Sequence, residues 1–216
     1  MKHSFLFGLI CSALLGICGF CGNPQPEPNA TAPLGLVSAF GQASTAPDTL
    51  HFFISEAGDG PLISDSLLKA GMDSAQFEQL HFGTGDAQFR QLGRYNFTEN
   101  LDALLIGTEE FWFGKQTLLF TDKKTGKLVD LVEVSHFYGG ESGQTASESW
   151  WFRNANPPRL YTKLAEHGYR ATDGEEPEEY HSEEGILLEW QKGAFQRISQ
   201  PDSLGALQKF SMYRVW

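Results

Sequence analysis

The chain has 216 residues and a formal net charge of −11, with 27 Asp and Glu against 16 Lys and Arg. So acidic a balance argues against nucleic acid or an anionic membrane face as the main partner, because both reward clustered Lys and Arg. All three cysteines, Cys11, Cys18 and Cys21, lie near the start, which excludes a disulfide framework and a thiolate metal site from everything after them.

Met1-Lys2-His3 is a short basic region, and the residues from Ser4 to Phe20 are mostly apolar. This is the layout of an export signal, and the run is marginal for a membrane-spanning helix. The end of the run, Gly19-Phe20-Cys21, resembles the box of bacterial lipoprotein signals, in which the cysteine is lipidated and becomes the first residue. The resemblance implies lipidation at Cys21, an envelope location in the outer membrane or periplasm, and residues 1–21 as a signal. Bulky Phe20 departs from the small residue usual at that place, so simple secretion and an uncleaved anchor stay open.

Pro24, Pro26 and Pro28 then alternate with polar residues, and Pro33 and Pro47 follow in an Ala, Ser, Thr and Gly mixture. Alternate prolines favour extended polyproline geometry, so residues 22–47 read as a tether. One apolar patch, Leu34 to Phe40, interrupts it. Residues 48–216 read as a single domain.

Within that domain short apolar runs are broken by Gly, Asn, Pro and charged turns. Thr49–Ile54 reads as a strand, and Ser64–Gly71 as a short helix with a capping residue in front and glycine behind. Further strands are expected at Leu101–Ile106, Gln116–Thr121, Lys127–Ser135, Thr145–Arg153, Arg159–Leu164, Gly185–Gln191, Ala194–Ser199 and Leu207–Val215. Asp122–Gly126 and Gln191-Lys192-Gly193 read as hairpin turns. The expected fold is therefore mostly β: an antiparallel meander forming a sandwich or strongly curled sheet, with one or two short helices near the start of the domain.

The aromatic runs Phe52-Phe53, Phe111-Trp112-Phe113, Phe137-Tyr138 and Trp150-Trp151-Phe152 put large rings on both faces of such a sheet. Either both faces are packed, or one presents an aromatic platform to flat ligand faces such as sugar rings. Trp112, Trp150 and Trp151 are the candidate ligand-binding residues.

No two histidines of the domain are spaced as a local metal pair, and no motif requires a cofactor. Gly140-Glu141-Ser142-Gly143 misplaces the second glycine of a nucleophile elbow and reads as a hairpin loop. The segment Asp173–Glu184 carries seven carboxylates and no Lys or Arg, and reads as a solvated acidic loop. Glu109, Glu110, Glu141 and Glu148 are the acidic residues from which a glycoside-hydrolysing pair would be drawn.

Four tripeptides share the pattern Asp, hydroxyl residue, aliphatic residue, with their hydroxyls on Thr49, Ser66, Ser74 and Ser203. The pattern resembles the acceptor of general O-glycosylation systems of some Gram-negative gut bacteria, and implies those four as glycosylation sites. The competing reading is local, since Asp and Ser before an apolar helical run are ordinary helix caps. Together these features lead us to expect an exported, lipid-anchored envelope protein whose domain is a non-catalytic binding or assembly module with a glycan or envelope-protein partner. The alternative is a secreted hydrolase acting on a polysaccharide or other envelope polymer.

Overall fold

The computed structural model describes residues 35–45, 47–54, 60–83, 86–140, 143–170, 176–198, 209–210 and 212. Helix α1 (Gly35–Ala39), strand β1 (Thr49–Phe52) and strand β2 (Leu62–Ile63) come first, followed by helices α2 (Asp65–Gly71) and α3 (Ser74–Glu78). Eight strands complete the order: β3 (Gln88–Asn96), β4 (Leu101–Glu110), β5 (Phe113–Asp122), β6 (Leu128–Gly140), β7 (Gly143–Phe152), β8 (Arg159–Arg170), β9 (Glu178–Gln191) and β10 (Ala194–Ile198). Strands β2 to β10 lie side by side in chain order as one antiparallel sheet, and β1 joins it by pairing with β7. The expected antiparallel meander is thus present, in an open sheet.

Local chemistry accounts for the elements. The Ser64 hydroxyl accepts from Leu67 N at the start of α2, and Asp73 with Gln76 closes a capping box on α3, satisfying amide groups that the first helical turn leaves over. The Asp122 carboxylate accepts from Lys124 N, Thr125 N and the Thr125 hydroxyl. With Gly126 at φ 68°, this closes the β5–β6 turn. Lys192 and Gly193 both take positive φ between β9 and β10, as the tight hairpin requires.

Alternation along the central strands sends side chains into two cores. Leu104, Ile106 and Leu119 face Leu36, Val37, Leu68 and Phe77 from the three helices and Leu80 just after α3. Ala103, Leu105, Leu118 and Phe120 face Phe52, Phe97, Val134, Trp151 and Leu160. Trp190 and Phe195, from the far end of the sheet, pack against this second core, and the Phe97 and Trp190 ring centroids are 4.7 Å apart. Phe195 N also donates to the Asp130 carboxylate of β6 at 2.9 Å. The sheet is strongly curled, bringing β10 back towards β6. Irregular register in the β5–β6 pairing, at Gln116/Thr117 and Phe120/Thr121, supplies bends of the kind such curling needs.

Several elements differ from the sequence expectation. Leu36 and Val37, within the stretch read as tether, are buried on α1. Arg94 holds that segment by donating to the Val37 and Gly41 carbonyls while pairing with the buried Asp102 carboxylate at 2.7 Å. Leu36 and Val37 belong to the apolar patch Leu34–Phe40 that interrupts the proline-rich texture. Half of the acidic segment is also not a loop, because Glu178–Glu184 lies in β9 with mostly exposed side chains. Register with β8 holds it there, placing Glu183 2.9 Å from Lys163 and Glu179 2.7 Å from His167. Of the strand expected over 207–215, only Lys209, Phe210 and Met212 are described, and none of them is in a strand.

Candidate functional site

Antiparallel order places the β4–β5, β6–β7 and β8–β9 hairpins at one end of the sheet. Among the described residues five large hydrophobic side chains are exposed, and three of them lie at this rim: Phe111 (76%), Trp112 (67%) and Tyr169 (51%). Phe111 and Trp112 are the two turn residues of the β4–β5 hairpin, since Glu110 pairs with Phe113. Phe111 has φ 58°, a left-handed conformation that glycine or asparagine takes cheaply and a bulky ring does not. Holding it costs about 1 kcal/mol or more.

The tip is braced from behind. Trp112 Nε1–H donates to the Gly139 carbonyl at 2.8 Å, tying the first hairpin to the second. Phe82, Phe113 and Tyr138 form a ring cluster beneath it, in which Tyr138 meets both phenylalanines edge-to-face, with the Phe82 and Tyr138 planes at 90° and centroids 4.9 Å apart. Lys115 Nζ donates to the carbonyls of Gln79 and His81 at 2.9 and 3.0 Å, and the Glu110 carboxylate accepts from Phe82 N. Burial lowers the Lys115 pKa, while Glu133 and Glu110 oppose that shift. Burial also raises the Tyr138 phenol well above its ordinary value, helped by Glu133. These groups fix the loop under the tip, so the exposed rings stand on a rigid base.

Register carries the same level across the rim. Gly139 pairs with Gln144, Gln144 with His167, and His167 with His181. One step further out, Gly140 pairs with Gly143, Gly143 with Gly168, and Gly168 with Tyr180. Glycines thus occupy the middle of this row among the described residues. That hairpin extends further, carrying Tyr169, Arg170, Glu178 and Glu179.

Comparison with protein-family models, with curated proteins and with solved structures finds no match to this chain.

The three candidate tryptophans do not share a surface. Trp151 is fully buried against Phe52, Tyr95, Phe97 and Phe120. Trp150 points to the other side of β7, is 8% exposed, and stacks on His51 at 4.5 Å while packing against Tyr161 and Phe210. Only Trp112 is open to a ligand.

The side of β7 that carries Trp150 also carries a buried polar group. His51 Nε2 lies 2.7 Å from a Glu148 carboxylate oxygen. Burial lowers the His51 pKa. Glu148 pairs in register with Lys163, and both are nearly inaccessible. The Tyr161 phenol next to them is raised by burial and by Glu183. Of the other candidate acids, Glu110 is committed to Phe82 N and Glu109 to Arg90, while Glu141 lies outside the described residues. Sequence spacing did not reveal the His51–Glu148 contact, because 97 positions separate the two.

A second histidine, His136, contacts both the Glu133 carboxylate and the Ser147 hydroxyl, but through the same nitrogen, Nδ1, at 2.6 and 3.0 Å. Nucleophile activation needs the hydroxyl and the carboxylate on opposite ring nitrogens, so this group is not a relay. Among the described residues no three His, Cys, Asp or Glu side chains are grouped to hold a metal. Thr49, Ser66 and Ser74 are all exposed. Asp73 beside Ser74 is a helix cap, whereas Asp65 beside Ser66 follows the cap residue Ser64. Cys21 and Ser203 lie outside the described residues.

Proposed function

We propose that the chain is an exported bacterial envelope protein, lipidated at Cys21, whose domain is a non-catalytic binding module working through the Phe111–Trp112 rim. The partner is a glycan or another envelope protein. The observation that supports this reading is two exposed aromatic rings at a turn where Phe111 is held in a costly conformation. Folding alone favours glycine or asparagine there, and large exposed aromatics are the side chains that dominate binding energy at interfaces. The leader and its cysteine supply the envelope part of the proposal.

Two measurements test it. Intact mass of the protein from native membranes is expected to begin at a lipid-modified Cys21, and a bare mass beginning elsewhere contradicts the anchor. Co-sedimentation with purified envelope fragments is expected for the wild type and lost in Trp112→Ala, and equal sedimentation contradicts the rim.

The hydrolase reading draws on a different observation, the His51–Glu148 pair beside Trp150 and Tyr161. A carboxylate and an imidazole at 2.7 Å are suitable acid–base groups, but Glu148 is only 3% exposed. A hydrolytic activity abolished by Glu148→Gln and indifferent to Trp112→Ala would establish that reading instead.

A further inference from the structure

The curled sheet comes back on itself, and the place where its two ends meet is held differently from the rest. Each neighbouring pair of strands from β3 to β10 is joined by an antiparallel backbone ladder. Strand β6 pairs with β5 along most of its length, but with β7 only from His136 to Gly140. Among the described residues, positions 128–135 of β6 therefore have no strand on their second side, and β10 has none beyond β9. Trp190 N donates to the Pro158 carbonyl at 2.9 Å, on the β8 side. Trp190 and Phe195 are opposite each other in register, so by the alternation of antiparallel bonds the Phe195 amide points away from β9. It donates to the Asp130 carboxylate of β6 at 2.9 Å, where a closed barrel would offer a backbone carbonyl.

We infer that the β6–β10 seam is a joint built into the fold: the Asp130 carboxylate latches β10, which swings away from β6 while the ladders from β3 to β9 stay formed. The inference is independent of the binding-module reading. A ladder gives way only when several backbone bonds break together. This seam has a single hydrogen bond among the described residues, made to a side chain, and the packing of rings beside it. Phe195 lies 5.4 Å from Phe120 and 5.3 Å from Trp190 between ring centroids, and Asp130 is opposite Phe120 in register. Opening costs these contacts, but it returns a half-buried carboxylate and one amide to water, which offsets part of the loss. Local openings of this kind lie well below the free energy of global unfolding. The open seam exposes Phe120, Trp190 and Phe195, the aromatic side of the second core.

The test is amide exchange of the full chain, read residue by residue by NMR. In the wild type the Phe195 amide is expected to exchange about tenfold or more faster than protected amides of the β4–β5 ladder. Its rate is expected to respond little to low urea, because a local opening exposes little surface. A second readout is the solvent exposure of a fluorinated tryptophan at position 190, its signal assigned by Trp190→Phe. Asp130→Ala is expected to raise the open population about tenfold, the effect of losing a hydrogen bond to a charged group, and so to raise exposure at Trp190. Asp130→Asn keeps an acceptor oxygen and is expected to restore most of the protection at both positions.

Exchange of the Phe195 amide at the rate and urea dependence of the β4–β5 amides overturns the inference, and that reading needs no variant. An unchanged Trp190 signal in Asp130→Ala overturns it as well, because the bond is then not what holds β10. Loss of protection in β4–β5 equal to that at Phe195 also overturns it, since the carboxylate would then support the whole sheet and not one joint.

Discussion

The Trp112 indole, two-thirds exposed, donates its Nε1–H to the Gly139 carbonyl oxygen at 2.8 Å, so the tip of one hairpin holds the ring that crowns another. That bond consumes the only polar group of the indole and leaves its faces open. A ring fixed in this way loses little rotamer freedom when a partner covers it.

Phe111→Gly is expected to leave stability unchanged or raise it by up to about 1 kcal/mol, because relief of the left-handed φ offsets the backbone entropy that glycine adds. Urea midpoints measure this. A loss of about 2 kcal/mol or more would mean that the ring supports the fold and is not there for a partner.

Trp151→Ala is expected to cost about 3 to 5 kcal/mol, the range for deleting a large aromatic from a packed core, since Trp151 touches Phe52, Phe97 and Phe120. Trp112→Ala is expected to cost about 1 kcal/mol, the loss of one exposed hydrogen bond and some ring contact. Equal costs would contradict the division between a structural and a binding tryptophan.

Leu36→Ala is expected to destabilise the domain by about 3 kcal/mol, because Leu36 is 1% exposed in the core formed with the three helices. Beginning the chain at residue 48 is expected to cost at least as much, since it also removes the carbonyls that Arg94 holds. Unchanged midpoints in either case would return residues 35–45 to the tether.

His51 gives a pH dependence with a definite sign. Burial lowers its pKa below the ordinary 6.5, so between the two values the unfolded chain holds more protons than the folded one. Stability from this group therefore rises with pH across that window and is flat above it. His51→Gln keeps a donor for Glu148 and is expected to flatten the slope below about pH 6.5. A slope of opposite sign, or one the variant leaves intact, would contradict the burial-dominated environment.

Much of the sheet was legible because its strands alternate and its turns carry Asp, Lys and Gly where tight hairpins need them. Strand β3 was not, because Leu92 sits at a register shift between Gln91 and Gly93 that breaks the alternation. The inner half of β9, Gly185–Gln191, was expected, but its acidic outer half was not, because that half has almost no apolar residue and is held by cross-strand partners on β8. For the site, the exposed Trp112 was named, but composition alone grouped it with Trp150 and Trp151. Which of three neighbouring aromatics points outward depends on register and on a turn conformation, and single residue types carry neither. The His51–Glu148 contact depends on β1 pairing with β7, a long-range pairing that no local pattern marks.

The most direct measurement places a photo-crosslinking amino acid at Phe111 in the native host, with Val129, an exposed residue near the start of β6, as the control position. A defined crosslinked partner from position 111 and none from 129 is the expected result. Crosslinks absent from 111, or the same from both positions, would contradict the claim that the aromatic rim is the binding surface.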